Sequence, residues 1–500
     1  MPSNPTEPMR SSASAVAWTA ALLTSALGAA ILFSAEPGIN WPIWVATASV
    51  SLILSRLVAV RRVETPLLVL VAWATVLSLG FALSDKEFFR ALIVASDAML
   101  LGLATITLGA EKWSDLSAKL LVAVPFLAPF RVATTSAREV ADAPNSVSSP
   151  RSRSIIKGAL LSVPLVIVLV ALLGSADPVI RWTTDRISAW LPDWSFPPRL
   201  LFFAFLLTLT LGANSIARRQ LAAKFPQYPP LGVAPKVGLT EQRMVLWSAA
   251  VVLWLFVLLQ ASYLIHPPPT AVGTGVTFAD FARRGFGELS FAATLVGAII
   301  LVLEYARPGE ATERDRAILR RLGLALVIAL ELVLISAFRR VILYEQAYGY
   351  TTARVLAQAY MIVMALSLAA LALEITRERI SIAFGRRVAE IALGVFTVLV
   401  FWNLEAWIVN RNIDRAVTTG KFDARYVRQL SYDAIPTLVQ RREEIPVAQR
   451  DSVMIQLGCK GLPAERRSFE WNRSVAAADR ALRSIQRPPC PPRESPVRSD

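Results

Sequence analysis

The apolar residues of this 500-residue chain are gathered into long runs. The runs are roughly 18 to 23 residues long, which is the length that a helix needs to cross a hydrocarbon core of about 30 Å. Hydrophobic residues make up 54% of the chain and charged residues 18%, so the chain is more apolar than soluble proteins usually are. The pattern predicts an all-α, polytopic helical membrane protein.

The runs predict about 11 transmembrane helices, followed by a small helical C-terminal domain. The expected spans are residues 12–34, 41–60, 66–83, 91–110, 155–175, 200–217, 244–265, 289–306, 322–337, 355–375 and 388–409.

The same pattern divides the chain into five segments. The apolar piece at 120–130 is too short to cross a bilayer, and Ser, Ala, Pro and Arg dominate the residues after it. We therefore expect an N-terminal four-helix membrane block at 1–118, a cytoplasmic re-entrant or interfacial piece and linker at 119–154, a seven-helix membrane core at 155–409, an extracytoplasmic helical tail domain at 410–486 and a disordered tail at 487–500.

Lys and Arg are distributed unequally between alternate loops. One set of loops holds about twice as many as the other, and the richer set is expected in the cytoplasm. This orientation predicts a cytoplasmic N-terminus and an extracytoplasmic C-terminus. The net charge of +15 then reflects topology and contact with anionic lipid, and no nucleic-acid partner is expected.

Several ionisable residues fall within or beside the later spans, where charge is costly and therefore suggests function. We expect them to form an outward-facing polar site for a small solute, a proton or a lipid headgroup. The candidate residues are Glu331, Arg339, Arg340, Glu345, Tyr350, Arg354, Glu405 and Asp414, with Asp97 and Arg284 as secondary candidates. The alternative is that these residues pair between helices and fix their packing.

Sequence signals for catalysis are absent. The chain has no GxxxxGK[ST], GxSxG or HExxH motif, and its single histidine excludes a multi-histidine metal site. We therefore predict no catalytic, cofactor-binding or metal-binding residues, and we favour a non-enzymatic protein. Cys459 and Cys490 could form one disulfide if the tail lies outside the cytoplasm.

Four stretches carry a family resemblance: LLGSADPVI at 172–180, FADFARRGFGELS at 278–290, RRVILYEQAYGYTTARV at 339–355 and NIDRAVTTGKFDARYVRQLSYDAIPTL at 412–438. Across residues 155–471 the chain resembles a bacterial polytopic inner-membrane protein family of unknown function, DUF4173- or DUF4153-like. The resemblance implies a multi-pass protein of the bacterial cytoplasmic membrane. It implies no reaction, cofactor or catalytic residue.

Three hypotheses for function follow. The first is a transporter-like or lipid-handling protein that uses the outward-facing polar site. The second is a signalling or envelope-assembly component whose extracytoplasmic tail binds an envelope protein. The third is a membrane-embedded transferase, which needs two carboxylates close together in a wet cleft.

Overall fold

The computed structural model describes residues 7–108, 118–142, 196–218, 237–265, 278–305, 312–377, 384–486 and 488–490. All the secondary structure in these residues is helical, which confirms the predicted fold class. The α-helices are α1 (Glu7–Ile31), α2 (Asn40–Val60), α3 (Thr65–Ser78), α4 (Gly80–Leu83), α5 (Glu87–Ile106), α6 (Ala118–Asp142), α7 (Phe196–Arg218), α8 (Leu239–Ile265), α9 (Phe278–Tyr305), α10 (Glu313–Tyr348), α11 (Thr352–Thr376), α12 (Phe384–Phe401), α13 (Leu404–Thr419), α14 (Ile435–Gln440), α15 (Val447–Lys460) and α16 (Arg473–Arg483).

Seven described helices are long and apolar enough to cross a membrane, and the number is up to eight if one bent pair counts as a span. The seven are Ala13–Ile31, Asn40–Val60, Thr65–Leu83, Glu87–Ile106, Pro198–Arg218, Leu239–Leu259 and Thr352–Thr376. They indicate a multi-pass protein associated with a lipid bilayer. The structure does not reproduce the predicted count of about 11, and the expected span at 155–175 lies outside the described residues.

Two expected elements differ from the structure. The apolar run at 388–409 is broken into α12 and α13, which meet at an angle of 66°, because Asn403 leaves the helix and caps α13 by accepting a hydrogen bond from the Ala406 N–H at 3.1 Å. In place of a short apolar piece and linker, α6 continues for 25 residues with Pro125 and Pro129 inside it. Packing against α7 outweighs the unfavourable local propensity of these prolines.

The chain forms two compact units. The first unit comprises Met1–Leu83, Arg90–Lys224 and Arg466–Asn472, and the second comprises Ser84–Phe89, Phe225–Glu465 and Arg473–Asp500.

In the first unit, α7 packs against α1, α2 and α6. Two glycines permit close approach. A Cβ at Gly212 of α7 would lie 2.1 Å from the Val132 carbonyl oxygen of α6, and one at Gly28 of α1 would lie 2.6 Å from the Trp44 indole nitrogen of α2.

In the second unit, the long helix α10 packs against α8, α9 and α11. Its start is fixed by a capping box, in which Thr312 and Asp315 bond reciprocally to each other's backbone N–H groups. Leu326, Leu330 and Ala337 are fully buried on this helix and form part of one apolar core.

The C-terminal part of the second unit has a separate apolar core, which we call the tail core. It includes Ile413 of α13, Leu438 of α14, Leu457 of α15 and Leu482 of α16, all of them fully buried. Cys459 and Cys490 form a disulfide that ties α15 to the end of the described chain.

Candidate functional site

The predicted polar-site residues are divided among separate groups in the second unit. One of them, Glu405, accepts three hydrogen bonds, and its side chain is 2% exposed. It lies in the first turn of α13, directly after the bend. The Lys86 ammonium donates to one carboxylate oxygen at 2.9 Å, while the Ser431 N–H and hydroxyl donate to the other at 2.6 and 2.7 Å. Glu405 is therefore a fully paired buried carboxylate.

Further hydrogen bonds extend from this ion pair. Lys86 also donates to the Thr352 hydroxyl at 2.9 Å, and the Thr352 N–H donates to the Tyr426 hydroxyl at 2.8 Å. We call the connected set the Glu405 network. Its residues are Ser84, Asp85, Lys86, Thr352, Glu405, Tyr426, Ser431 and Asp433.

Asp433 closes the other end of the Glu405 network. Its carboxylate accepts hydrogen bonds from the Ser84 hydroxyl at 2.5 Å and from the Asp85 N–H at 2.7 Å. Burial raises the pKa of Asp433, although these hydrogen bonds act in the opposite direction. The network thus attaches the segment that carries Ser84 and Lys86 to the tail core and to the start of α11.

Glu345, Tyr350 and Arg354 form a second group around the turn between α10 and α11. Glu345 is 1% exposed, and one of its oxygens accepts a hydrogen bond from Gln358 at 2.8 Å. The Arg354 guanidinium bonds to the Gly349 carbonyl and lies 4.2 Å from the centre of the Tyr344 ring. The backbone of Tyr350 is held by the Asn412 side chain through bonds of 2.7 and 2.9 Å.

The remaining predicted residues lie elsewhere. Asp414 is half exposed and pairs with Arg441 at 2.8 Å on the surface. Glu331, Arg339 and Arg340 are partly buried along α10, before the second group. Arg284 belongs to α9, but its side chain lies outside the described residues.

Sequence reasoning missed Lys86, Ser84, Ser431 and Asp433. The available signal was the charged and polar run SDKE at 84–87, placed directly before an apolar span, together with the acid in SYDAIP at 431–436. Lys86 and Glu405 are 319 positions apart in sequence. Because of this separation, no local pattern could have paired them.

Asp97, a secondary candidate, lies in the first unit on α5. It is 1% exposed, and the Trp41 indole N–H donates to one of its oxygens at 2.8 Å. Its other oxygen is buried and has no hydrogen-bond partner. Asp97 thus differs from Glu405, since only half of its carboxylate is paired.

Asp97 lies in the wall of an apolar cavity of about 510 Å³ in the first unit. Side chains from α2, α5, α6 and α7 surround it, including Trp41, Trp44, Phe202 and Phe205. Two other polar groups in the wall have partners, because the Asn214 amide donates to Ser51 at 2.6 Å and the Thr210 hydroxyl to the Leu206 carbonyl at 2.9 Å. The Trp44 indole nitrogen is buried without a partner. The arrangement can enclose a largely apolar molecule that has one polar group.

In the part of the chain that the structure describes, no group of three or more His, Cys, Asp and Glu side chains is arranged to hold a metal ion.

No curated protein and no solved structure matches the chain. A family model with the description "Domain of unknown function (DUF4153)" matches residues 71–440. The match confirms the resemblance and extends it towards the N-terminus, so that it includes Lys86, Asp97 and Glu405. Because it covers well over half of the sequence, the chain belongs to the DUF4153 family.

Proposed function

We propose that this protein is a non-enzymatic membrane protein, transporter-like or lipid-handling, that holds an apolar, lipid-like molecule in the cavity of the first unit. The observation that carries the proposal is the cavity itself. Its volume of about 510 Å³ falls within the roughly 300–1,000 Å³ of known ligand pockets, which are also mainly apolar. Three of its surrounding helices, α2, α5 and α7, are candidate membrane spans, so a ligand could enter from the bilayer.

We place the ligand beside Asp97, and not in the outward-facing polar site that the sequence predicted. The Glu405 network supports this choice, because both carboxylate oxygens of Glu405 already have protein partners. We propose instead that the Glu405 network holds the tail core in place. This role agrees with the alternative that the predicted polar residues pair with one another and fix the packing of the helices.

Native mass spectrometry of the purified protein tests the proposal. Ala98 is an exposed residue that lines the cavity, so Ala98→Phe should fill part of the space. The wild type should retain a bound lipid-like molecule, and Ala98→Phe should lose most of it. Ala91→Phe is the matched control, since Ala91 is exposed on the same helix but does not line the cavity. Equal retention by both variants, or no bound molecule in the wild type, would contradict the proposal.

We also propose that the protein resides in the bacterial inner membrane, with its N-terminus in the cytoplasm and its tail outside. The excess of Lys and Arg in one set of loops supports this orientation. The Cys459–Cys490 disulfide supports it independently, because disulfides persist in oxidising compartments and are rare in the cytoplasm.

A signalling or envelope-assembly role is the second candidate. The separate tail core favours it, since a folded module fixed to spanning helices could present a surface to an envelope protein. Val447, which begins α15, is 77% exposed. A photo-crosslinker at residue 447 should then capture one defined envelope protein in living cells, while a crosslinker at buried Val453 of the same helix should not. Absence of any specific adduct at 447 would count against this role.

A further inference from the structure

Asp97 is an unusual side chain for the wall of an apolar cavity. One carboxylate oxygen is bonded to Trp41, and the other is buried without a partner. A buried polar atom without a partner carries a desolvation cost, and this cost is larger when the group is charged. A ligand that supplies a hydrogen-bond donor at this oxygen would remove the cost.

Among the residues that the structure describes, none supplies a positive charge to the cavity wall. The described lining residues are apolar, aromatic or uncharged polar apart from Asp97, and they include no Lys, Arg or His. Buried Glu405 in the second unit has the ammonium of Lys86 beside it, as buried charges usually require. The described wall of the cavity at Asp97 therefore lacks the positive group that a buried carboxylate normally has.

Aromatic rings provide a second feature that favours a cation. Trp41 stacks on Phe81 at 5.3 Å and lies 5.5 Å from the Trp44 ring, and both indoles line the cavity. Phe202 and Phe205 of α7 contribute two further rings. The faces of aromatic rings attract ammonium groups, most strongly where water is excluded.

We infer that the ligand is a lipophilic amine, an apolar body with one protonated amine, whose ammonium group pairs with Asp97 while its hydrocarbon part fills the cavity. This inference rests on the proposed function, because it names the chemical class of the molecule that the cavity holds. An ammonium group supplies both the missing donor and the missing positive charge. A neutral alcohol supplies only the donor.

Two probes of matched size test the inference: decylamine, which is protonated at neutral pH, and decanol, which is not. Binding is measured by isothermal titration calorimetry on the full chain in phosphatidylcholine nanodiscs, after subtraction of the heats from empty nanodiscs. The wild type should bind decylamine about tenfold more tightly than decanol, the ratio expected when one charged contact is added.

Substitutions of Asp97 test the role of its negative charge, and substitution of Ala98 tests the role of the cavity volume. Asp97→Asn should reduce the affinity for decylamine to that for decanol and leave the affinity for decanol nearly unchanged, while Asp97→Glu should restore part of the preference. Ala98→Phe should weaken the binding of both probes.

The outcomes distinguish failure of this inference from failure of the proposed function on which it rests. Equal wild-type affinities for the two probes, both lost in Ala98→Phe, would overturn the inference and leave the proposed function in place. A preference for decylamine that survives Asp97→Asn would also overturn the inference. Failure of both probes to bind the wild type, or binding that Ala98→Phe leaves unchanged, would overturn both. The comparison of the probes on the wild type remains decisive even if an Asp97 variant does not fold.

Discussion

Glu405 and Asp97 are both deeply buried carboxylates, but they have different surroundings. Glu405 receives three hydrogen bonds, one of them from the ammonium of Lys86. Asp97 receives a single hydrogen bond from an uncharged indole. The sequence identified both as acids that need an explanation, because charge in a membrane is costly. It could not show which of them was already paired, since pairing depends on contacts between residues far apart in the chain.

The Lys86–Glu405 pair gives a direct test at this scale. Lys86→Met should destabilise the protein by roughly 3–5 kcal/mol, because it leaves a buried carboxylate without its counter-ion. The midpoint of thermal unfolding in detergent, followed by tryptophan fluorescence, measures the loss. The double variant Lys86→Met/Glu405→Met should recover part of it.

Arg483→Met is the control for that experiment. Arg483 pairs with Asp479 on the surface of α16, where an ion pair contributes little to stability, so this variant should unfold close to the wild type. A Lys86→Met variant as stable as Arg483→Met would show that the Glu405 network does not hold the tail core.

Asp433 predicts a dependence of stability on pH. Because burial raises its pKa above the usual value of 3.8, the folded state binds the proton more tightly than the unfolded state. The stability that Asp433 contributes is therefore present at low pH and is lost as the pH rises through its raised pKa. Asp433→Asn should lack this component, so its stability relative to the wild type should increase as the pH rises from about 4 through the raised pKa of Asp433. A stability difference that does not change with pH would contradict the assignment.

At the scale of the helices, hydropathy predicted most of the described spans but not their interruptions. The run at 388–409 is mostly apolar, with Glu390 near its start and Asn403 and Glu405 near its end, so the 66° bend between α12 and α13 was not foreseen. The apolar piece at 120–130 was expected to be short, yet α6 continues beyond it to Asp142, past Pro125 and Pro129. In each case contacts with other elements decided the outcome, and those contacts are not visible in a local sequence window.

The contact between α6 and α7 depends on Gly212. Gly212→Ala should destabilise the protein by about 1–3 kcal/mol, because the new methyl group would meet the Val132 backbone and the helices would have to separate. Gly394→Ala in α12 is the matched control. Gly394 is also helical, but nothing lies within 4 Å of an added Cβ there, so this variant should be neutral or slightly stabilised. Equal effects of the two variants on the unfolding midpoint would contradict the packing.

At the scale of the whole molecule, composition and the clustering of apolar residues were sufficient to predict a multi-pass helical membrane protein. The family was indicated by the resemblance of four stretches and is shown by the family model. The cavity of the first unit was not predictable, because its wall combines residues such as Trp41, Asp97 and Phe202 from separate helices. Each of these residues, taken alone, resembles an ordinary part of a spanning segment. The cavity could therefore be recognised only once the packing of the helices was known.

The proposed orientation makes a prediction at the same scale. Alkaline phosphatase fused after residue 500 should be active in bacterial cells, and green fluorescent protein fused there should be dark, because the proposed C-terminus is extracytoplasmic. Without reduction, Cys459 and Cys490 should resist a maleimide reagent, and after reduction both should react. A fluorescent C-terminal fusion with freely reactive cysteines would contradict the proposed orientation and place the C-terminus in the cytoplasm.

The central claim is that the first unit holds a lipid-like molecule beside Asp97. A cryo-electron microscopy map of the full chain, purified into nanodiscs without added ligand, tests this claim most directly. We expect elongated density that fills the space between α2, α5 and α7 and has one end within hydrogen-bonding distance of the Asp97 carboxylate. A well-resolved map in which these helices close the cavity, or in which the space beside Asp97 holds no density, would contradict the claim.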